Sequence, residues 1–205
     1  QSTTKHYHKQ MPVEMDSSIF LSLCKAPIIG ITGTKGKTTT ASLCAHILEQ
    51  AKKKVVRIGI GQSGVLGNFS NIVSDSIVVF ELSSWRLSAL KQIKKSPSLA
   101  VLVNIYPDHL NYYKTMEAYI SDKKNIFLFQ KSRDILVANF DDEAVRAMAQ
   151  DAKGTIIWFS QKKEIDGDGV FVKDGTIYAR KQGEEKEFLP LSRVLIKGRH
   201  NIDNA

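Results

Sequence analysis

Ten residues, 30–39, combine the side chains and backbone freedom that phosphate chemistry needs. They read Gly-Ile-Thr-Gly-Thr-Lys-Gly-Lys-Thr-Thr. An apolar run (Pro27, Ile28, Ile29) leads in, and a helical pattern follows. A strand therefore enters a glycine-rich turn, and a helix begins on its far side. In such a turn, backbone N–H groups converge on an anion, and the helix start adds partial positive charge. Gly33, Thr34, Lys35, Gly36, Lys37, Thr38 and Thr39 form the expected cradle. Lys37 reaches terminal phosphates, and the Thr38 hydroxyl offers an oxygen to Mg²⁺. The usual spacing of such loops has glycine at position 31, where this chain has Ile31.

Four other constellations carry reactive groups. Glu81 ends an apolar run, with Ser83 and Ser84 just beyond. A carboxylate there serves either a metal or ordinary solvation and capping. Asp108 and His109 follow the apolar run 99–105. By itself, such a histidine is a structural hydrogen-bonding group as readily as a ligand. Lys123 shares a helical stripe with Met116, Tyr119, Ile120 and Phe127, whereas Lys124 points away. Either its amine snorkels to an edge, or it is desolvated into a neutral nucleophile open to carbamylation by CO₂. Asn201 and Asn204 stand three apart at a helix start. They act as caps or as carboxamides matched to the edge of adenine.

These groups need a scaffold that gathers strand ends. Strands are expected at 28–32, 55–60, 77–81, 99–105, 135–139 and 155–159. Helices are expected at 18–24, 38–52, 85–94, 115–129 and 142–149. In the helix 38–52, Cys44, Ile47, Leu48 and Ala51 fall on one apolar face. The alternation implies an α/β fold with a doubly wound, mostly parallel sheet. Near the end, 169–173 and 176–180 flank Asp174-Gly175, a hairpin signal, and 187–189 offers a further strand. This is a small antiparallel addition. Residues 1–18 read as a polar connector and 19–205 as one domain. The opening glutamine and the helix start near the end lead us to expect further protein beyond the 205 residues.

Composition narrows the partners. The net charge of +8 comes from lysines in short clusters without interleaved aromatics. That pattern suits phosphorylated small molecules and does not point to nucleic acid. No apolar run approaches a membrane span. Cys24 and Cys44, without metal spacing, read as reduced thiols of a cytoplasmic protein.

Residues 30–39, Glu81-Leu82-Ser83-Ser84, Asp108-His109, Tyr119 with Lys123, and 198–204 occur in the order found in Mur ligases. The chain resembles the central ATP-binding domain of that family along nearly its whole length. Mur ligases build the peptide stem of bacterial peptidoglycan, and so serve cell shape and division. Glu-Leu-Ser-Ser followed by an aromatic is most similar to the members that add D-glutamate to UDP-N-acetylmuramoyl-L-alanine. The resemblance implies ATP-dependent amide formation through an acyl phosphate, in the bacterial cytoplasm, by a monomer.

It implies roles residue by residue. Lys37 holds ATP phosphates. Thr38, Glu81, His109 and a carbamylated Lys123 serve two Mg²⁺ sites, with Lys37, His109 and Lys123 catalytic. Asn201 and Asn204 bind adenine. Asn68, Ser83 and Arg86 face the substrate. Arg86 stands where glutamine is common, Asn111 where aspartate is common, and Ser70 and Asn71 depart from the pattern around Asn68. The family's amino-terminal UDP-sugar domain and carboxy-terminal amino-acid domain have no room within 205 residues. The isolated chain is therefore expected to be inactive. Other readings are a different Mur ligase, a folylpolyglutamate-synthase-like ligase, or a non-catalytic ATP-binding module.

Overall fold

The computed structural model describes residues 14–60, 64–196 and 200–204. Helix α1 (Asp16–Leu23) precedes strand β1 (Ile28–Thr32), helix α2 (Lys37–Gln50) and strand β2 (Lys54–Ile58). A 3₁₀ turn (Leu66–Asn71) leads to β3 (Ser76–Glu81), α3 (Ser84–Ser88), α4 (Leu90–Ile93) and β4 (Leu99–Leu102). Then come α5 (Leu110–Tyr113), α6 (Met116–Lys124), β5 (Ile135–Asn139), α7 (Glu143–Ala149) and β6 (Thr155–Ser160). Strands β7 (Gly169–Lys173), β8 (Thr176–Lys181) and β9 (Glu184–Pro190), a 3₁₀ turn (Leu191–Arg193) and α8 (His200–Asn204) complete the described chain.

The nine strands of the described residues form one sheet in the order β2-β3-β1-β4-β5-β6-β7-β8-β9. The expected parallel core and antiparallel addition are both present. β7 is still parallel to β6, and only β7-β8-β9 run antiparallel. Just three residue pairs join β6 to β7, from Trp158 with Gly169 to Ser160 with Phe171. The chain needs little return length there, and residues 161–168 suffice. From β1 the chain moves to one side of the sheet (β2, β3) and later to the other (β4 onward). That reversal opens a crevice beyond the carboxyl ends of β1, β3 and β4.

The two faces are covered unequally. Phe20, Val78, Phe80, Leu87, Leu102, Phe127 and Leu136 belong to a large core beneath α1, α3, α4, α6 and α7. On the opposite face, Ile31, Val79 and Val103 meet Ala41 and Ala45 of α2. Half of the expected inner face of α2 holds: Cys44 and Leu48 pack against this cluster. Ala41 and Ala45 are fully buried, while Ile47 is 60 % exposed and Ala51 lies past the helix end. The alanines let α2 lie close on the sheet, so the inner face runs through Ala41, Cys44, Ala45 and Leu48.

Other boundaries shift for physical reasons. The connector expected through residue 18 gives way to α1 at Asp16, and Ser17 and Ser18 are buried. Their hydroxyls are satisfied, with Ser17 donating to the Arg86 carbonyl at 2.8 Å, so polar residues there do not mean a loop. The connector's residues 1–13 lie outside the described residues. The helix expected at 85–94 is divided at Ala89 into α3 and α4. The strand expected at 99–105 stops at Leu102: Val103 N–H still bonds the Thr32 carbonyl at the end of β1, and Asn104 turns to the loop after it. The helix expected at 115–129 ends at Lys124, and α5 was not expected.

Gly30 lies within β1, not in the loop, and its role is close packing. A Cβ there would sit 2.5 Å from Pro97 Cγ and 3.2 Å from Leu82 Cδ1. A proline ring cannot swing aside as a long side chain can. Gly30→Ala is expected to cost about 1–3 kcal/mol, lowering Tm by roughly 2–10 °C. A melting curve superimposable on wild type would show that the Pro97 contact yields freely.

Candidate active site

The loop after β1 is stitched to the end of β4. Thr34 N–H donates to the Asn104 backbone carbonyl at 2.9 Å and to Asn104 Oδ1 at 3.0 Å. Lys35 N–H reaches the same Oδ1 at 2.8 Å. Asn104 Nδ2 donates back to the Lys35 carbonyl at 3.0 Å. The Thr34 hydroxyl meets Tyr119 Oη at 3.0 Å and accepts from Tyr106 N–H at 2.9 Å. Gly36 then turns left-handed at φ +82°, and α2 begins with no side-chain cap. The uncapped first turn at Lys37, Thr38 and Thr39 leaves N–H groups for an anion.

Two lysine amines converge behind this loop. Lys37 Nζ donates to the Gly33 carbonyl at 3.1 Å and the Thr34 carbonyl at 3.0 Å. Lys123 Nζ donates to the same Gly33 carbonyl at 2.8 Å and to Thr32 Oγ1 at 3.3 Å. Lys123 is 1 % exposed, so its amine is not snorkelling to an edge. Its Nζ lies 4.9 Å from the Tyr119 ring centroid. Burial, reinforced by the Lys37 charge and partly opposed by Asp108, brings its pKa down to about 7. Burial lowers Lys37 as well, against the pull of Glu81 and Asp108.

The acidic and imidazole groups stand at the same corner. Glu81 is opposite Ile31 in the β1–β3 register, at the loop's root. One of its carboxylate oxygens, Oε2, is buried without a hydrogen-bond partner. An orphaned acceptor beside an uncapped glycine-rich loop is what a hard cation needs. His109 is left-handed at φ +55°, with Nε2 3.7 Å from Asp108 Oδ2. Its ring lies 4.6 Å from Trp85 and 6.5 Å from Tyr119, between centroids. Among the described residues, no three His, Cys, Asp or Glu side chains form a metal-holding group. A cation here therefore needs phosphate oxygens, water and the Thr38 hydroxyl to complete its shell. Mg²⁺ commonly binds in this way, so the donor set fits.

At the other flank, α8 lies against α2. Asn204 is buried; its Oδ1 accepts from Thr40 Oγ1 at 3.3 Å, and its Nδ2 donates to Asn201 Oδ1 at 2.9 Å. A Cβ on Gly36 would fall 2.0 Å from Asn204 Oδ1, so position 36 has room only for glycine. A cleft of about 980 Å³ opens nearby, lined by Tyr106, Asp141, Gln161, Ile202 and Asp203 among others. It is large enough for a nucleoside.

The three residues expected on the substrate side are less concentrated. Ser83 caps α3 by accepting from Arg86 N–H at 3.3 Å. The Arg86 guanidinium pairs with Asp16 at 3.5 Å and lies 5.9 Å over the Phe80 ring. Asn68 is in the 3₁₀ turn after β2, donating to the Gly64 carbonyl at 2.5 Å. The sequence reading missed Asn104 and took Tyr119 for a purely apolar stripe residue. Asn104 ends the apolar run Val101-Leu102-Val103, and a carboxamide at a buried strand end is the signal that could have found it.

The Mur ligase middle domain matches residues 31–205. A UDP-N-acetylmuramoylalanine–D-glutamate ligase of Acetivibrio thermocellus is 38 % identical over 192 residues, covering 94 % of this chain and 40 % of that protein. The enzyme of the same name from Symbiobacterium thermophilum is 38 % identical over 188 residues, covering 91 % and 41 %. The chain thus spans about 40 % of the length of the curated relatives it matches. Among solved structures, MurF from Acinetobacter baumannii has a TM-score of 0.66 at 18 % identity, over 92 % of this chain and 43 % of that one. MurF ligase from Thermotoga maritima, solved in complex with ADP, has a TM-score of 0.62 at 20 % identity, over 92 % and 45 %. These two likenesses concern the fold.

The buried amine makes stability depend on pH. Lys123 titrates near 7 when folded, far below an ordinary lysine. Between about pH 7 and 10 the unfolded chain therefore binds more protons, and stability rises with pH. Tm in bicarbonate-free buffer is expected to climb through that window, and Lys123→Met should flatten the climb. Parallel slopes in the two proteins would place the Lys123 amine in water.

Proposed function

The chain belongs to the Mur ligase family, and from that membership we propose that it is the ATP-binding and phosphoryl-transfer part of a D-glutamate-adding ligase. The central domain is assigned from α1 at Asp16 onward, with the residues before it as the connector. Domains that grip the UDP-sugar and bring the amino acid flank it in the whole enzyme. The reaction joins D-glutamate to UDP-N-acetylmuramoyl-L-alanine in peptidoglycan synthesis. Support comes from the printed names of the relatives at 38 % identity. The observation that carries the reading is the meeting of Lys37 and Lys123 on one loop carbonyl, with Glu81 opposite that loop's root.

The chemistry begins with a carboxylate, a poor electrophile because oxide leaves badly. Its oxygen takes the γ-phosphoryl of ATP, giving an acyl phosphate and ADP. The neutral amine of D-glutamate then attacks the acyl carbon, phosphate departs, and the amine proton is lost to base. Lys37 and the N–H groups at the start of α2 orient the phosphates and offset charge spreading over the transferred group. The His109 ring faces the same corner. Ser83, Asn68 and Arg86, on segments that follow β2 and β3, are assigned to the acceptor. Asn201 and Asn204 are assigned to adenine, with the adjoining cleft for the nucleoside.

Thr38, Glu81 and His109 would hold Mg²⁺, with Lys123 as carbamate for a second ion, and bound Mg²⁺ would supply charge neutralisation at the phosphates. Carbamylation joins the neutral Lys123 amine to CO₂ and releases one proton. A pKa near 7 favours it by keeping much of the amine uncharged at neutral pH. The enzyme is assigned to the bacterial cytoplasm as a monomer. Two free cysteines agree with a reducing compartment, and among the described residues no helix is long and apolar enough to cross a membrane.

Lys37→Ala in the intact enzyme is expected to reduce turnover by roughly a thousandfold or more. Activity within about tenfold of wild type would remove Lys37 from the phosphate site. Mass spectrometry of native protein in bicarbonate should find CO₂ on Lys123. Bare lysine under conditions that support turnover would sink the carbamate assignment.

A further inference from the structure

Resting on the ATP reading above, we propose that Asn104 is the positioning residue of the phosphate loop. Its carboxamide sets the direction of three successive peptide units and thereby aims Lys37, Lys123 and the Gly36 N–H.

The argument is geometric. A trans peptide is planar, with its N–H and C=O pointing oppositely. The Thr34 N–H is held by Asn104, so the carbonyl of the same unit, Gly33 C=O, must point away from Asn104. That carbonyl is the one that receives Lys37 Nζ at 3.1 Å and Lys123 Nζ at 2.8 Å. The Lys35 N–H is also held by Asn104, at 2.8 Å. The carbonyl of that unit, Thr34 C=O, therefore points away too, and it receives Lys37 Nζ at 3.0 Å.

At the third unit the polarity reverses. The Lys35 carbonyl faces Asn104 and accepts from Nδ2 at 3.0 Å. The N–H of that unit belongs to Gly36 and must face the opposite way, toward the side where the first turn of α2 opens. One carboxamide thus reads two N–H groups and then one C=O. A side chain that only accepts, or only donates, cannot do both. Asn104 is buried at 7 % exposure and spans some seventy residues of sequence to reach the loop. It touches no phosphate under this scheme and acts through the backbone.

Two variants separate the parts. Asn104→Ala removes all three side-chain bonds. Asn104→Asp keeps an acceptor for Thr34 and Lys35 but sets a carboxylate oxygen against the Lys35 carbonyl. Amide hydrogen exchange of the 205-residue chain is followed by NMR. Binding of MgATP and of inorganic tripolyphosphate is measured by calorimetry, with adenosine as the phosphate-free control. In Asn104→Ala, exchange at Lys35 is expected to quicken at least about tenfold, while Thr34, which keeps its bond to the backbone carbonyl of residue 104, and the β1 and β4 amides stay protected. In Asn104→Asp, the Thr34 and Lys35 amides stay protected. Both variants should weaken MgATP and tripolyphosphate by about tenfold or more, leaving adenosine unchanged.

A purely structural role would lower all three ligands together, and that result overturns the proposal. So does wild-type tripolyphosphate affinity in both variants, or unchanged exchange at Lys35 in Asn104→Ala. Should that variant fail to fold, loss of tripolyphosphate but not adenosine in Asn104→Asp decides the matter. Failure of wild type to bind MgATP would refute the ATP reading itself, and amide exchange would still decide the placement of the loop.

Discussion

Two lysine amines share the carbonyl oxygen of Gly33. Bringing two ammonium groups onto one acceptor, with one of them out of water, is unfavourable in both solvation and Coulomb energy. The protein tolerates this because Glu81 and Asp108 supply opposite charge nearby and because Lys123 gives up its proton readily. The site thus holds a charged Lys37 beside a readily neutralised Lys123 in a rigid frame. An incoming polyphosphate would relieve the repulsion that the fold imposes, and burial of the lysines makes each interaction stronger than it would be in bulk water.

That arrangement requires a sheet whose strand order reverses at the right place. β1 lies between β3 and β4, so the loop after β1 has a neighbour on each side. From β3 comes Glu81; from the end of β4 come Asn104, Asp108 and His109. Helix α6 crosses behind and delivers Tyr119 and Lys123 on successive turns. Tyr119 bonds Thr34, and Lys123 bonds Thr32 and Gly33. Three separate segments therefore converge on four residues of loop. The large core under α1, α3, α4, α6 and α7 keeps those segments in register, because displacing any one of them would break close packing around Phe80, Leu102 and Phe127.

Much of the frame was legible from local pattern. β5 and β7 occupy the residues that alternation and turn signals indicated, and β1 does likewise. Their apolar runs are short and bounded by breakers, so local and tertiary preferences agree. The expectations went astray where tertiary contacts overrode local preference. β4 stops early because Asn104 is claimed by the loop after β1. The face of α2 was half right, with Cys44 and Leu48 on it, and Ala41 and Ala45 were missed because alanines carry little hydrophobic weight in a periodicity count, yet allow close approach to the sheet. α1 was set too late because buried serines with satisfied hydroxyls look like linker.

Residue types and their order determined the phosphate loop, the alternating architecture and the family, because these depend on short-range backbone chemistry. A glycine-rich turn between a strand and a helix has few other uses, and its meaning survives without coordinates. Only the tertiary structure decided that Lys123 is buried, that its amine meets Lys37 on one carbonyl, and that Asn104 orients the loop between them. Those facts join residues some seventy to ninety positions apart. Spacing along a chain carries no information about which distant strand end a side chain will meet. That is settled by strand order and by the packing of α6 across the sheet.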